Sequence, residues 1–315
     1  MKTLKSDDII YHIKKSKIEF ILIGDLKDKY IVASIFEIIE NGFYYIKSDK
    51  IPDKIANSLI LVDKTFTGIP IKNNVILKTN ADAKELFYQI VSNFFSEKSN
   101  GQISEFTIIS PEAIIGKNVQ IEAFSTIGKA VIQDDVIIKS NCHIYDNSII
   151  SKGVVIEPQS VIGAQGVAWT WNKNQTEKIK LPQLGGVKIG ENCFLGANTI
   201  IVRGSLNEFT EIGQNSMLAP GSRIGHGTKI GNYVHFANGV ITGGNTIIGD
   251  FSFIGSGVVF RPKVKLHENT IVGAGAVVVR NTSAPGLTLV GLPAKETITK
   301  ETPSGLPPPK KNKEH

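Results

Sequence analysis

From Phe106 onward an aliphatic side chain recurs every six residues, and this period excludes most folds before any motif is read. One run is Ile109, Ile115, Ile121, Ile127. After a one-residue slip it continues as Ile132, Ile138, Ile144, Ile150, Ile156, Ile162, and then as Ile189, Leu195, Ile201. The last run holds phase from Ile212 through Leu218, Ile224, Ile230, Phe236, Thr242, Ile248, Ile254, Phe260, Leu266 and Val272 to Val278, and only Thr242 in it is not apolar. Neither a 3.6-residue nor a 2-residue period explains such a series, whereas short strands joined by tight turns do. Glycine follows the aliphatic repeatedly, as at Gly190, Gly213, Gly231 and Gly249. Three hexapeptides then make one triangular coil of a parallel β-helix, each inward aliphatic stacking on its equivalent eighteen residues away.

The repeat does not reach the N-terminus. Of 30 glycines in 315 residues, the first hundred hold three, Gly24, Gly42 and Gly68. That part alternates helix and strand signals. Ser6–Asp7–Asp8 suits a cap for a helix running to about Lys15. Ile18 to Ile23 reads as a short buried strand, Phe43 to Ile46 and Leu59 to Val62 as two more, and a helix is predicted from about Asn80 to Lys98 with Leu86, Ile90 and Phe94 on one stripe. The expectation is an α/β domain over 1–100, resembling nucleotide-binding domains, a β-helix over 101–294 with a loop insertion at 163–186, and a C-terminal tail over 295–315 that ends in disorder.

Charge and cysteine use narrow the function. The formal charge of +6 divides as +2 over 1–100 (15 basic, 13 acidic), +2 over 101–294 (15 and 13) and +2 over 295–315 (5 and 3), so no basic stripe points to nucleic acid. Cys142 and Cys193 stand far apart without metal-ligand spacing, which suits buried filler in a reducing cytoplasm. No stretch approaches the roughly 20 apolar residues of a membrane span, and no signal peptide is evident. Walker, GxGxxG and GxSxG motifs are absent from the sequence.

What chemistry remains sits at the histidines and at two interruptions of the repeat. The larger interruption, Gly163 to Gly186, holds both tryptophans, Trp169 and Trp171, and reads equally as a loop pinned by aromatics or as a flap over a ligand. The second is Gly204–Ser205–Leu206–Asn207–Glu208. His226 follows an aliphatic–glycine corner and points out from an edge of the prism, while His235 lies half a coil further round, so the two need not meet within one subunit. A neutral imidazole can take the proton of an amine attacking a thioester. Gly244, eighteen residues after His226, would offer a backbone N–H to the oxyanion. His143, His226, His235 and His267 lack the spacing of a zinc site, and no metal is expected.

Longer motifs carry a family resemblance. Ser160 to Gly166, Lys180–Leu181–Pro182–Gln183–Leu184–Gly185, Ile189–Gly190, Gly196 to Ile200 and Arg203–Gly204 resemble the UDP-3-O-acylglucosamine N-acyltransferases of lipid A synthesis, as do Gly24–Asp25 and the strand at Phe43–Tyr44–Tyr45. The resemblance implies a left-handed β-helix, a homotrimer, His226 as catalytic base, Gly244 as oxyanion donor and Tyr45 stacking on the nucleotide base. This chain departs from that family at Ala219–Pro220–Gly221 before the histidine and at Lys263. Its C-terminal third, with Arg261–Pro262, Val272 to Val278 and Val290 to Lys295, is similar to the acetyl-CoA-dependent amino-sugar acetyltransferases of the sialic-acid and bacillosamine type. In that group His235 would contact the acyl-CoA, with Gly244, Ser256 and Ala274 lining its slot. The expectation is a cytoplasmic N-acyltransferase moving an acetyl or short acyl group from acyl-CoA to a UDP- or dTDP-linked amino sugar for surface polysaccharide. Its alternatives are lipid A acylation from acyl carrier protein and a structural β-helix with a decayed site.

Overall fold

The structure is a computed structural model that describes residues 1–298. Two compact units divide the chain, Met1–Glu97 and a second beginning at Lys98.

In the first unit a six-stranded mixed sheet carries two helices. The elements are β1 (Thr3–Lys5), α1 (Ser6–Lys15), β2 (Phe20–Ile23), β3 (Lys29–Val32), β4 (Gly42–Ile46), β5 (Leu59–Asp63), β6 (Val75–Thr79) and α2 (Ala83–Phe95), with sheet order β1-β3-β4-β5-β6-β2. Alternation along β4 sends Phe43 toward the helices, where Ile9, Ile13, Leu86 and Ile90 bury it, and Tyr44 and Ile46 toward Ile55, Phe66 and Ile76 on the opposite face. Both faces are therefore apolar, which explains the continuous run Leu59–Val62.

Several local expectations need correction. The N-cap of α1 is Lys5 and no side chain caps it, because the Ser6 hydroxyl donates to the Lys27 carbonyl instead. β2 is an exposed edge strand, with Ile21, Leu22 and Ile23 at 64%, 37% and 39% exposure, since it pairs only with β6. α2 starts at Ala83, where Asp82 accepts from the Glu85 N–H, and Phe94 lies outside the buried stripe of Leu86, Phe87 and Ile90. β1, β3 and β6 are additional to the strands expected from sequence, being short or interrupted by lysines.

The second unit is the β-helix expected from the repeat, with the left hand that the family resemblance implies. Its strands, mostly two residues long, form three parallel sheets of nine, eight and ten strands, here called faces one, two and three in chain order, the tenth strand of face three being an added antiparallel one. In each dipeptide the second residue points inward: the members of the repeat from Ile121 to Val278 are buried, each stacked on its equivalents one coil away, as Ile224 on Thr242 and Thr242 on Phe260. Burying one such aliphatic contributes about 1.5–3 kcal/mol, and the stack continues through every coil. Cys142 and Cys193 also face inward, and burial pushes both thiols up to about 11, so they are inert packing. The coils end in a hairpin of Leu287–Gly291 with Ala294–Ile298, so the 294/295 boundary expected from sequence falls inside a strand. The disordered end expected beyond it lies outside the described residues.

Candidate functional site

The edge between faces one and two differs from the other two edges. Strands 161–164 and 200–202 of face one are followed there by the two interruptions of the repeat, on successive coils, and the next coils turn the same edge at His226, Gly244 and Pro262. The larger interruption is an antiparallel hairpin of Trp169–Trp171 with Lys178–Lys180. Arg203 ties this edge together, its Nε donating to the Gly163 carbonyl at 2.6 Å and its Nη2 to the Asp146 carbonyl at 2.8 Å.

His226 is held from three directions. Its flanking backbone is fixed by hydroxyls: Gly225 N–H donates to Thr242 Oγ1 at 3.0 Å, and Gly227 N–H to Thr210 Oγ1 at 2.9 Å. This accounts for Thr242, the one polar member of the last repeat run, which lies inside the prism and gives its oxygen to the turn that carries the histidine. The ring is held by Ser205, whose Oγ lies 3.1 Å from Nδ1. Ser205 is positioned by Glu208, whose carboxylate accepts from the Ser205 and Leu206 N–H groups at 2.7 and 3.0 Å. These N–H bonds, foremost the Leu206 donor, hold the Glu208 carboxyl below the usual range.

The imidazole lies against Gly244. A Cβ at that position would meet the ring carbons Cδ2 and Cε1 at 2.7 Å, with Nε2 nearer still, so the ring occupies space that any side chain would take. Among the described residues nothing accepts a hydrogen bond from the Gly244 N–H. The same corner position one coil on is Pro262, which has no N–H, so the coil does not need that donor.

The other sequence-derived site residues lie elsewhere in the chain. His235 is half-buried on face three, its ring stacked on Phe253 at 5.1 Å and 3°, and burial lowers its pKa. Ser256 and Ala274 stack on adjacent coils of the edge between faces three and one, where Gly275 N–H donates to the Ser256 carbonyl at 2.8 Å. The fold thus joins His226 with Gly244, and Ser256 with Ala274, and separates the two pairs by the width of face one. Tyr45, in the first unit, is half-buried beside Phe87 and Tyr88 of α2, with ring centroids at 5.2 and 6.1 Å. Ser205, Glu208 and Thr210 were missed as the imidazole's supports. The available signal was the second interruption, whose one-residue loss of phase marks a turn built to do something other than close a coil.

A family model described as bacterial transferase hexapeptide (six repeats) matches residues 209–244 and 245–280, a GlmU-like C-terminal hexapeptide model matches 92–169, and a hexapeptide repeat of succinyl-transferase matches 186–222. The acyl-[acyl-carrier-protein]–UDP-N-acetylglucosamine O-acyltransferase of Chlamydia caviae is 36% identical over 121 residues, 38% of this chain and 40% of that protein. The UDP-3-O-acylglucosamine N-acyltransferase of Coxiella burnetii is 31% identical over 151 residues, 38% of this chain and 44% of that one. The chain thus spans about two fifths of the length of the curated relatives it matches. Among solved structures, a UDP-N-acetylglucosamine acyltransferase from Bacteroides fragilis superposes with a TM-score of 0.56 at 27% identity, covering 62% of this chain and 74% of that one. With the repeats matched across 92–169 and 186–280 and the coils superposing on such a protein, the chain belongs to the hexapeptide-repeat transferase family.

Proposed function

We propose that the protein is an N-acyltransferase that moves an acyl group from a thioester to the amine of a nucleotide-linked amino sugar, with UDP or dTDP as the nucleotide. The observation that carries this reading is the imidazole of His226 held by Ser205 against the side-chain-free Gly244. With Nδ1–H donating to Ser205 Oγ, Nε2 keeps its lone pair and can accept a proton from the attacking amine. The amine nitrogen bonds to the thioester carbonyl carbon, and the oxyanion that forms is stabilised by the Gly244 N–H. The C–S bond then breaks, and the thiolate leaves with the proton held by the imidazolium, giving amide and thiol.

The donor in this reading is acyl-CoA, acetyl-CoA in the simplest case, lying along His235, Ser256 and Ala274 with Gly244 at its reacting end. Because these groups occupy different edges of one chain, the complete site needs the three–one edge of one copy beside the one–two edge of another. A homotrimer supplies that arrangement. Its support is the unequal faces over the coils that carry the site: the outward columns of face one (Val161, Ile200, Arg223, Ile241, Val259) and face three (Val155, Phe194, Met217, His235, Phe253) are each apolar but for one member, whereas that of face two (Lys188, Glu211, Lys229, Ile247, Lys265) is charged but for one, with a 2.6 Å Lys229–Glu211 ion pair. Tyr45 would stack on the base of the acceptor. A cytoplasmic location follows from such substrates; among the described residues, no helix is long and apolar enough to cross a membrane.

A second reading, acylation of a lipid A precursor from acyl carrier protein, is favoured by the Chlamydia relative, whose name specifies an acyl carrier protein thioester as donor. One assay separates them. Free thiol would be measured for a series of acyl-CoAs and acyl carrier protein thioesters against UDP- and dTDP-amino sugars. Release from a short acyl-CoA that depends on the amino sugar supports the first reading, and activity confined to long acyl carrier protein thioesters overturns its donor.

A further inference from the structure

The hairpin of the larger interruption presents an unusual combination of groups. In an antiparallel pair, residues directly opposite one another share a face. The register pairs Trp169 with Lys180 and Trp171 with Lys178, so two indoles and two ammonium groups stand on one side of the ribbon. The indoles meet edge to face at 5.5 Å, and both remain 46% exposed. Lys178 Nζ lies 4.2 Å from the centroid of Trp169 and 5.4 Å from that of Trp171. The turn is braced by Asn172, whose Oδ1 accepts from the Thr176 and Glu177 N–H groups at 2.9 and 3.3 Å, so the two strands are held at a fixed separation.

The place of this face matters as much as its chemistry. The foot of the hairpin returns to the one–two edge, where Leu184 N–H donates to the Ser205 carbonyl at 2.8 Å and Gly185 N–H to the Gly204 carbonyl at 3.2 Å. It therefore leaves the prism from the turn bonded to the one that orients His226. Gln183, buried at the same foot, accepts from the Gly166 N–H, while its Nε2 finds no acceptor among the described residues. Indole faces take the C–H side of a pyranose, and lysine ammonium groups pair with phosphate as point charges. The tip, Asn172 to Thr176, is polar, which fits a face that lies along a solvated ligand better than one that inserts into a lipid layer.

We infer that the face formed by Trp169, Trp171, Lys178 and Lys180 binds the sugar–diphosphate portion of a nucleotide-sugar acceptor. This rests on the function proposed above for its acceptor class, and its test is independent of acyl transfer. Both tryptophans of the chain lie in this hairpin, so emission excited selectively at tryptophan reports on it alone. Titrating the full-length protein with UDP-N-acetylglucosamine and with UDP should change that emission saturably, and Lys178→Ala should raise the half-saturation about tenfold while the circular dichroism spectrum stays unchanged. In turnover, the same variant should raise the acceptor KM and leave the donor KM as it was. Emission that stays constant at acceptor concentrations saturating turnover overturns the inference. So does emission already typical of buried indole that responds only to dilution, which would assign the hairpin to a neighbouring copy. If UDP-N-acetylglucosamine titrates the tryptophans but no thioester supports transfer, the binding face stands and the acyltransferase reading falls. Transfer with silent tryptophans does the opposite: the acyltransferase reading stands and the binding face falls.

Discussion

Two edges of the same prism have been built under different constraints. Between faces two and three the turns repeat through eight coils with one left-handed residue each: Asn118, Asp135, Gly153, Asn192, Asn215, Tyr233, Phe251 and Asn269. Between faces one and two the series is broken. The turns at 110–113 and 128–130 have no left-handed residue, Asn147 is followed by the tryptophan hairpin with Gln175 left-handed at its tip, then by the 203–208 turn, which has none, and single left-handed turn residues return at Gly227, Asn245 and Lys263. The interior does not register the difference, because Ile162, Ile201 and Ile224 stack as closely behind the broken edge as their counterparts elsewhere. A solenoid closes each coil with two inward residues per face and a tight turn, so an edge can be rebuilt without cost to the core. The regular edge is therefore architecture, and the broken one is where we propose that side chains are positioned for chemistry.

This contrast can be broken experimentally, and after His226 itself the largest effect is expected at Gly244. Gly244→Val places carbon atoms where the imidazole now lies, so turnover should fall by a factor on the order of 10² with thermal stability little changed. Loss of the fold in place of turnover would make Gly244 a packing glycine like those of the other edges. Ser205→Ala should come next, lowering kcat by roughly tenfold and altering its pH profile, since the imidazole loses the partner of Nδ1. An unaltered profile would show that Ser205 does not orient the ring.

A pH effect follows from Glu208. Its folded carboxyl is depressed below the unfolded value, so the stability it lends to the 205–208 turn is present above the unfolded carboxylate range and is lost as pH falls through the folded value. Amide exchange at Ser205 and Leu206 should therefore rise reversibly in acid before the coils unfold, and Glu208→Gln should remove that pH-dependent step. Smallest is Asn269→Ala on the regular edge, where a left-handed backbone disfavours alanine; stability should drop by about 1 kcal/mol, with turnover unchanged. A loss of activity there would mean that the two edges are not functionally distinct.

Much of the solenoid was legible because its period is enforced by sterics at every coil. The inward residues Ile109 to Val278 follow from the period down to the slip after Ile127, which coincides with a shortened turn between Ile127 and Val131. The pairing of His226 with Gly244 was legible for the same reason, since eighteen residues separate equivalent positions in an uninterrupted stretch. Ser205 was not, because counting fails across an interruption: it stands twenty-one residues from His226 and reaches the ring only through the shape of its turn. In the first unit no period exists to count. β3 reads Lys29–Tyr30–Ile31–Val32 among charges, and β2 looked buried because an edge strand and a central strand can have the same apolar composition.

The central claim, that the one–two edge is a catalytic edge with His226 as its base, is tested most directly by amino-sugar-dependent thiol release from the wild type and from His226→Ala, at equal chain concentration with the oligomeric state of both followed by light scattering. The account predicts that kcat falls by a factor on the order of 10²–10⁴ while assembly and circular dichroism remain as in the wild type. A variant that turns over at the wild-type rate would contradict it and leave the proton to some other group.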